Sequence, residues 1–184
     1  DGGYYLPQTR EVSYVIQASA ASALYSFSDA AYEVDLYKDF FISKQLLSTI
    51  KTTNKMISIT GSIYAQENDL DNCVLINEKK GVVEVTNANI FVLKGNIVKT
   101  PALTEGCIKG IVRNKVIEII LKNKEYTLEE TTISPFEIQK ADEVFITNAI
   151  IGVQAVTNYK KKNFTIDFAN KISKSLKVLE ITAS

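Results

Sequence analysis

Three features of this sequence have residue types that could do chemistry. Lys51 stands in the run Ile-Lys-Thr-Thr-Asn-Lys-Met. Its amine could act as a nucleophile or a base once deprotonated, although a lysine near a helix start is more often simply solvated. Glu84 lies between Val83 and Val85 in a strand-like run. A carboxylate there needs a solvent-facing side or a buried partner. Gly110 opens a helical run, whose first amides have no partner inside the helix and could receive an anion. Most helix N-termini bind only water, so each feature taken singly is ambiguous.

Composition narrows the chemistry. The 184 residues contain no histidine, which removes the commonest neutral-pH base and the commonest metal ligand. A zinc hydrolase or a Ser-His-Asp hydrolase is therefore disfavoured, no metal is expected, and acid/base work falls to Lys, Asp, Glu, Tyr or Cys. With 21 basic and 21 acidic residues the formal charge is zero, so neither nucleic acid nor an anionic membrane is implied as partner. The basic cluster Lys160, Lys161 and Lys162 reads as a solvated loop. Cys73 and Cys107 lie among apolar neighbours without CxxC spacing and read as buried reduced thiols. No secretory signal or membrane-length apolar run is visible, which leaves a cytoplasmic location by elimination. The opening Asp1-Gly2-Gly3, without methionine, suggests a processed, truncated or partly ordered product.

The positioning elements follow from periodicity. Glu11 to Gln17 and Tyr32 to Lys38 alternate at strand period, and the Ala- and Ser-rich segment between them reads as a loop or short helix. A helix is expected from Asn54 to Asn68 with Ile59, Ile63 and Ala65 on one side. Four short strands should follow at Cys73–Asn77, Val82–Thr86, Asn89–Lys94 and Ile97–Thr100, the last pair joined by a Gly95-Asn96 hairpin turn. Gly106 to Asn123 has the clearest helical spacing, through Ile108, Ile111, Val112, Val116, Ile119 and Ile120. Beyond it the pattern predicts a strand at Tyr126–Glu130 and a Ser134-capped helix to Lys140 with Pro135 in its first position. Strands at Glu143–Thr147 and Val153–Thr157 and a final amphipathic helix from Ile166 to Val178 complete one mixed α and β domain, residues 1–184. No repeat or linker divides it.

Taken together, the motifs resemble a known family. The run VVEVTNANIFVLKGNIVKTPALTEGCIKGIVR resembles the signature of the class IV aminotransferases, the fold-type IV pyridoxal-phosphate enzymes. The upstream IKTTNKM resembles their lysine segment, and the downstream KADEVFITNAIIGVQAV their second phosphate loop. All three stand in order at family-like spacing. The resemblance implies the family's large C-terminal domain, a β pseudo-barrel flanked by helices, with pyridoxal 5'-phosphate as cofactor. It implies that Lys51 anchors the cofactor covalently and, once displaced by substrate, moves a proton. Glu84 would face the pyridine nitrogen and keep it protonated. The amides of Ile111 and Val112 would hold the phosphate, with Asn148 and Ala149 as the second lip of that cup.

Three departures bear on the reaction. The family's transaminases carry a tyrosine five residues after the lysine, a Thr after Gly-Ile and Gly-Thr in the second loop. This chain has Met56, Val112 and Asn148-Ala149 there. Those residues are more similar to the 4-amino-4-deoxychorismate lyases within the family. Losing two hydroxyls near the phosphate costs only about 0.5–1.5 kcal/mol each, so cofactor binding could survive. The resemblance thus implies a pyruvate-releasing lyase acting on an amino-substituted carboxylic acid, with a branched-chain or D-amino-acid aminotransferase as the alternative. A non-catalytic domain retaining the fold is a third reading. It also implies a homodimer, and a smaller N-terminal domain, in cis or as a separate segment, that supplies a phosphate-binding arginine. Arg10 is a poor substitute for that residue, and Arg113 matches a family position without an assigned role.

Overall fold

The computed structural model describes residues 5–20 and 25–182. The opening Asp1-Gly2-Gly3 and residues 21–24 of the Ala- and Ser-rich segment lie outside them. Among the described residues ten strands and four helices succeed one another as β1 (Glu33–Leu36), α1 (Met56–Glu67), β2 (Asn72–Ile76), β3 (Val82–Val85), β4 (Asn89–Lys94) and β5 (Ile97–Pro101). Then come α2 (Ile111–Lys122), β6 (Thr127–Thr131), α3 (Pro135–Lys140), β7 (Glu143–Asn148), β8 (Gly152–Val156), β9 (Asn158–Tyr159), β10 (Lys162–Asn163) and α4 (Asp167–Thr182). One five-stranded sheet runs β10-β9-β1-β2-β3, and a second runs β6-β5-β4-β7-β8.

Period-two alternation assigns the side chains to layers. Val74 and Ile76 of β2, Ile90 and Val92 of β4, and Val144 and Ile146 of β7 fill a core shared by the two sheets. Their neighbours Phe91, Leu93 and Phe145 turn the other way and pack under α2 and α4, against Val112, Val116, Phe168 and Ile172. Cys73 and Leu75 of β2 face α1 with Tyr37 and Ala65. Strands with both faces covered read as near-continuous apolar runs, which is why the hairpin turns, more than alternation, mark their ends. Gly95 turns the β4–β5 hairpin at φ 58°, and its amide donates to Asp142 Oδ2 at 2.7 Å. Both cysteines are free and buried, and burial pushes their thiols up to about 11.

Three expectations are corrected. Residues 11–17 form no strand: no described strand pairs with them, and Val12, Tyr14, Val15 and Ile16 are all at least 79% exposed. Alternation supplies an apolar face but not the neighbouring chain that a ladder requires. In α1, Ile59 and Ile63 point outward, and the buried positions are Gly61 and Ala65. Small residues win that face because the helix sits close on the sheet. A Cβ on Gly61 would lie 3.1 Å from Thr86 Cγ2 and 3.3 Å from Leu75 Cδ2. Finally, α2 begins at Ile111, five residues later than Gly106. Gly106 adopts φ 102°, which no right-handed helix admits, so residues 106–110 form an approach loop.

Arg113 is a strut of this framework. It is 2% exposed, and Nη2 donates to Pro101 O at 2.9 Å and to Glu130 Oε2 at 2.6 Å. Its Nε has no hydrogen-bond partner among the described residues. The Nη2 group thus ties α2 to β5 and β6. Arg113→Met should lower stability by roughly 2 kcal/mol, chiefly because Pro101 O keeps only the weak Cys107 thiol donor in a dry site. Urea unfolding checks this, and an unchanged midpoint would contradict it.

Candidate active site

Glu84 is the least expected charge in the interior. It lies on β3 opposite Leu75 of β2 and is 5% exposed. Its Oε2 accepts the Ile108 amide at 2.9 Å, while Oε1 accepts no hydrogen bond among the described residues. Burial pushes the carboxyl up to about 7, opposed by the Ile108 hydrogen bond and by the positive charges of Lys55 and Lys51. A buried carboxylate half-served in this way suits a cationic or proton-bearing partner.

The approach loop gathers the rest. Ile108 serves Glu84 through its N–H, and its carbonyl, in the following peptide group, accepts Asn89 Nδ2 at 2.8 Å. Asn89 Oδ1 in turn fills the space beside Gly110, where a Cβ would come within 2.2 Å of it. Gly110 has φ −68°, so space rather than backbone strain demands glycine here. It caps α2 without any side-chain hydrogen bond, which leaves the amides of Ile111, Val112 and Arg113 without helical acceptors. The Val112 side chain is buried in the core and that of Ile111 is 75% exposed. Packing and amide presentation therefore do not compete. Gly110→Ala is expected to break the Asn89–Ile108 bond and cost about 1–3 kcal/mol by overpacking. Calorimetric melting tests it, and a wild-type profile would refute the steric argument.

Lys51 lies in the exposed stretch before α1, beyond a 3-10 turn at Leu46–Thr49. Thr49 O accepts the Lys109 amide at 3.0 Å, which ties this stretch to the approach loop. Its charge, with that of Lys55, is felt by Glu84. Met56 is 66% exposed at the first position of α1. On the other side, Asn148 Oδ1 accepts the amides of Ile150 and Ile151, both at 2.9 Å, and folds the β7–β8 turn. Its Nδ2 donates to Asn87 O at 3.2 Å, bringing that turn to the β3–β4 connection. Ala149 is exposed at the tip.

The structure therefore joins Glu84, the α2 N-terminus and the Asn148 turn through Asn89, which is in register with Thr147. Sequence reasoning missed the roles of Asn89, Lys55 and the Ile108 peptide. Asn89 opens a strand within the quoted motif, and a polar residue at the head of an apolar strand was the available signal. Lys55, four residues beyond Lys51 and just before α1, weighs more on Glu84 than Lys51 does. Thr147 Oγ1, on the residue opposite Asn89, is buried with no hydrogen-bond partner among the described residues. Among the described residues no helix is long and apolar enough to cross a membrane.

Comparison with known proteins gives a consistent picture. The family profile described as amino-transferase class IV matches residues 1–159. The aminodeoxychorismate lyase of Vibrio harveyi is 28% identical over 123 residues, 67% of this chain and 45% of that protein. The branched-chain-amino-acid aminotransferase 1, mitochondrial, of Arabidopsis thaliana is 38% identical over 89 residues, 48% of this chain and 23% of that one. In fold, the branched-chain amino acid aminotransferase of Thermobaculum terrenum, solved in its PLP form, superposes with a TM-score of 0.77 at 20% identity. That match covers 82% of this chain and 51% of that one. The chain thus spans about half or less of the length of each of these three proteins. The likeness bears out the expected fold, the large domain built of two sheets flanked by helices.

Proposed function

We propose that this chain, which belongs to the class IV aminotransferase family, forms the cofactor-carrying domain of a pyridoxal-phosphate enzyme acting on an amino-substituted carboxylic acid. The observation that carries the reading is the double use of the Ile108 main chain, N–H and carbonyl, which sets a half-partnered buried carboxylate beside free helix amides. Those groups fit pyridoxal phosphate. Glu84 Oε1 lacks a donor, which a protonated ring nitrogen would supply, and the amides of Ile111 and Val112 lack acceptors, which a phosphate would supply. Bound there, the cofactor would serve as an electron sink for the substrate carbon bearing the amine.

The chain's own residues then divide the work. Lys51 holds the cofactor until substrate takes its place, and afterwards moves the proton of the amine-bearing carbon. Glu84 keeps the ring nitrogen protonated. The amides of Ile111 and Val112 hold the phosphate, with the positive end of α2 behind them, and the Asn148-Ala149 turn forms the second lip. In this reading residues 1–184 act with a smaller domain, in cis or as a separate segment, and within a homodimer.

Lyase action is preferred over transamination. Met56, Val112 and Asn148-Ala149 stand where hydroxyl-bearing residues or glycine serve the transaminases, and the Vibrio harveyi relative is a lyase. A lyase given 4-amino-4-deoxychorismate and no keto acid releases pyruvate through many turnovers. A transaminase stops after one equivalent, and that halt would overturn the lyase assignment.

A further inference from the structure

Glu105 is a buried carboxylate, 3% exposed, that the site described above does not use. Its Oε1 accepts Lys44 Nζ and Thr132 Oγ1, both at 2.8 Å, and its Oε2 accepts Asn77 Nδ2 at 2.7 Å. Asn77 Nδ2 also reaches Glu105 O at 3.2 Å. Asn77 Oδ1 then receives the amides of Lys79 and Gly81, at 3.0 and 2.9 Å, closing the turn that leads into β3. Three donors from separate parts of the chain thus converge on an acceptor-only group, which no amide or hydroxyl could serve equally. The fit is close on every side. A Cβ on Gly81 would lie 2.8 Å from Glu105 Oε2, and one on Gly106 would lie 2.9 Å from Ser43 O.

We propose that Glu105 is a positioning residue that clamps the segment leading to Lys51 onto the loop that holds Glu84 and opens α2. The proposal deepens the cofactor reading above and rests on it. Lys44 begins that segment and Glu105 begins the loop. Farther along, the Lys109–Thr49 hydrogen bond joins them again, at 3.0 Å. Two ties along one run fix its alignment, and Lys51 follows the second by two residues. The loop between the ties contains Ile108, whose N–H and carbonyl hold Glu84 and Asn89. The separation of Lys51 from Glu84 is therefore set by a group that touches neither.

Glu105→Gln keeps the shape but offers Lys44 a weaker acceptor, and Lys44→Met removes the same pair from the other side. In both, the amides of Ile108 and Lys109 should exchange with deuterium about tenfold faster or more, with those of β4 and β7 unchanged. Borohydride fixation of pyridoxal phosphate at Lys51 should slow in the same two variants. Exchange that rises uniformly through the sheets, or at neither amide, would overturn the clamp. An unlabelled Lys51 in the wild-type protein would instead overturn the cofactor reading, while the exchange pattern still decides the clamp.

Discussion

Lys51→Ala is expected to abolish covalent capture of pyridoxal phosphate while leaving the fold intact. The side chain is exposed in a stretch without regular structure, so its removal should change stability by no more than about 0.5 kcal/mol. The chemical loss is far larger. The same amine is asked to anchor the cofactor and then to move a proton, and proton transfer alone is worth about 10²–10⁴-fold in rate. Borohydride reduction followed by peptide mapping should find the phosphopyridoxyl group on the wild-type peptide containing Lys51 and nowhere in the variant. Lys55 offers the sharpest challenge, since its charge acts more strongly on Glu84 than that of Lys51. Labelling at Lys55 in the wild type would reassign the anchor.

Glu84→Gln should act on stability and on chemistry in opposite directions. The folded carboxyl holds its proton more tightly than the unfolded one, being pushed from 4.5 to about 7. Its contribution therefore favours folding fully below the unfolded value and is lost as pH rises through about 7, a change of roughly 3 kcal/mol. Urea midpoints measured between pH 4 and 8 should show this decline in the cofactor-free wild type and not in the glutamine variant. Absence of any difference between the two slopes would refute the buried-charge assignment. Loaded with cofactor, the wild type should lose much of that slope, because a protonated ring nitrogen would compensate the carboxylate. The variant, more stable at neutral pH when empty, should bind a cofactor whose ring nitrogen is no longer kept protonated, and its turnover should fall by orders of magnitude.

Much of the architecture was legible from local signals. β4 was read with its exact bounds, because Gly95-Asn96 ends it sharply and its apolar run is unbroken. The Ser134–Pro135 start of α3 was equally plain, and Glu137 does reach back to the Ser134 amide at 2.9 Å. What failed depended on partners distant in sequence. Residues 11–17 carry a strand pattern but no described neighbour, and the outward Ile59 and Ile63 reflect how closely α1 must approach Thr86 and Leu75. The same division holds at the site. Lys51, Glu84 and the residues after Gly110 and Thr147 were legible through ordered motifs. Asn89, Lys55 and Glu105 were not, since their importance arises only where the loop of residues 105–110 folds back across β3 and β4.

The main chain at Ile108 has a genetic consequence. Its N–H donates to Glu84 and its carbonyl, in the following peptide group, accepts from Asn89, so the junction between the two is made of main chain. Both bonds use main-chain atoms, so a substitution at 108 other than proline leaves the bonding groups in place, and a side-chain scan would read only the packing of the half-buried Ile108. Backbone chemistry would read the link itself. Exchanging that amide for an ester would delete the bond to Glu84 alone, and would separate the contribution of position 108 from that of the residue occupying it.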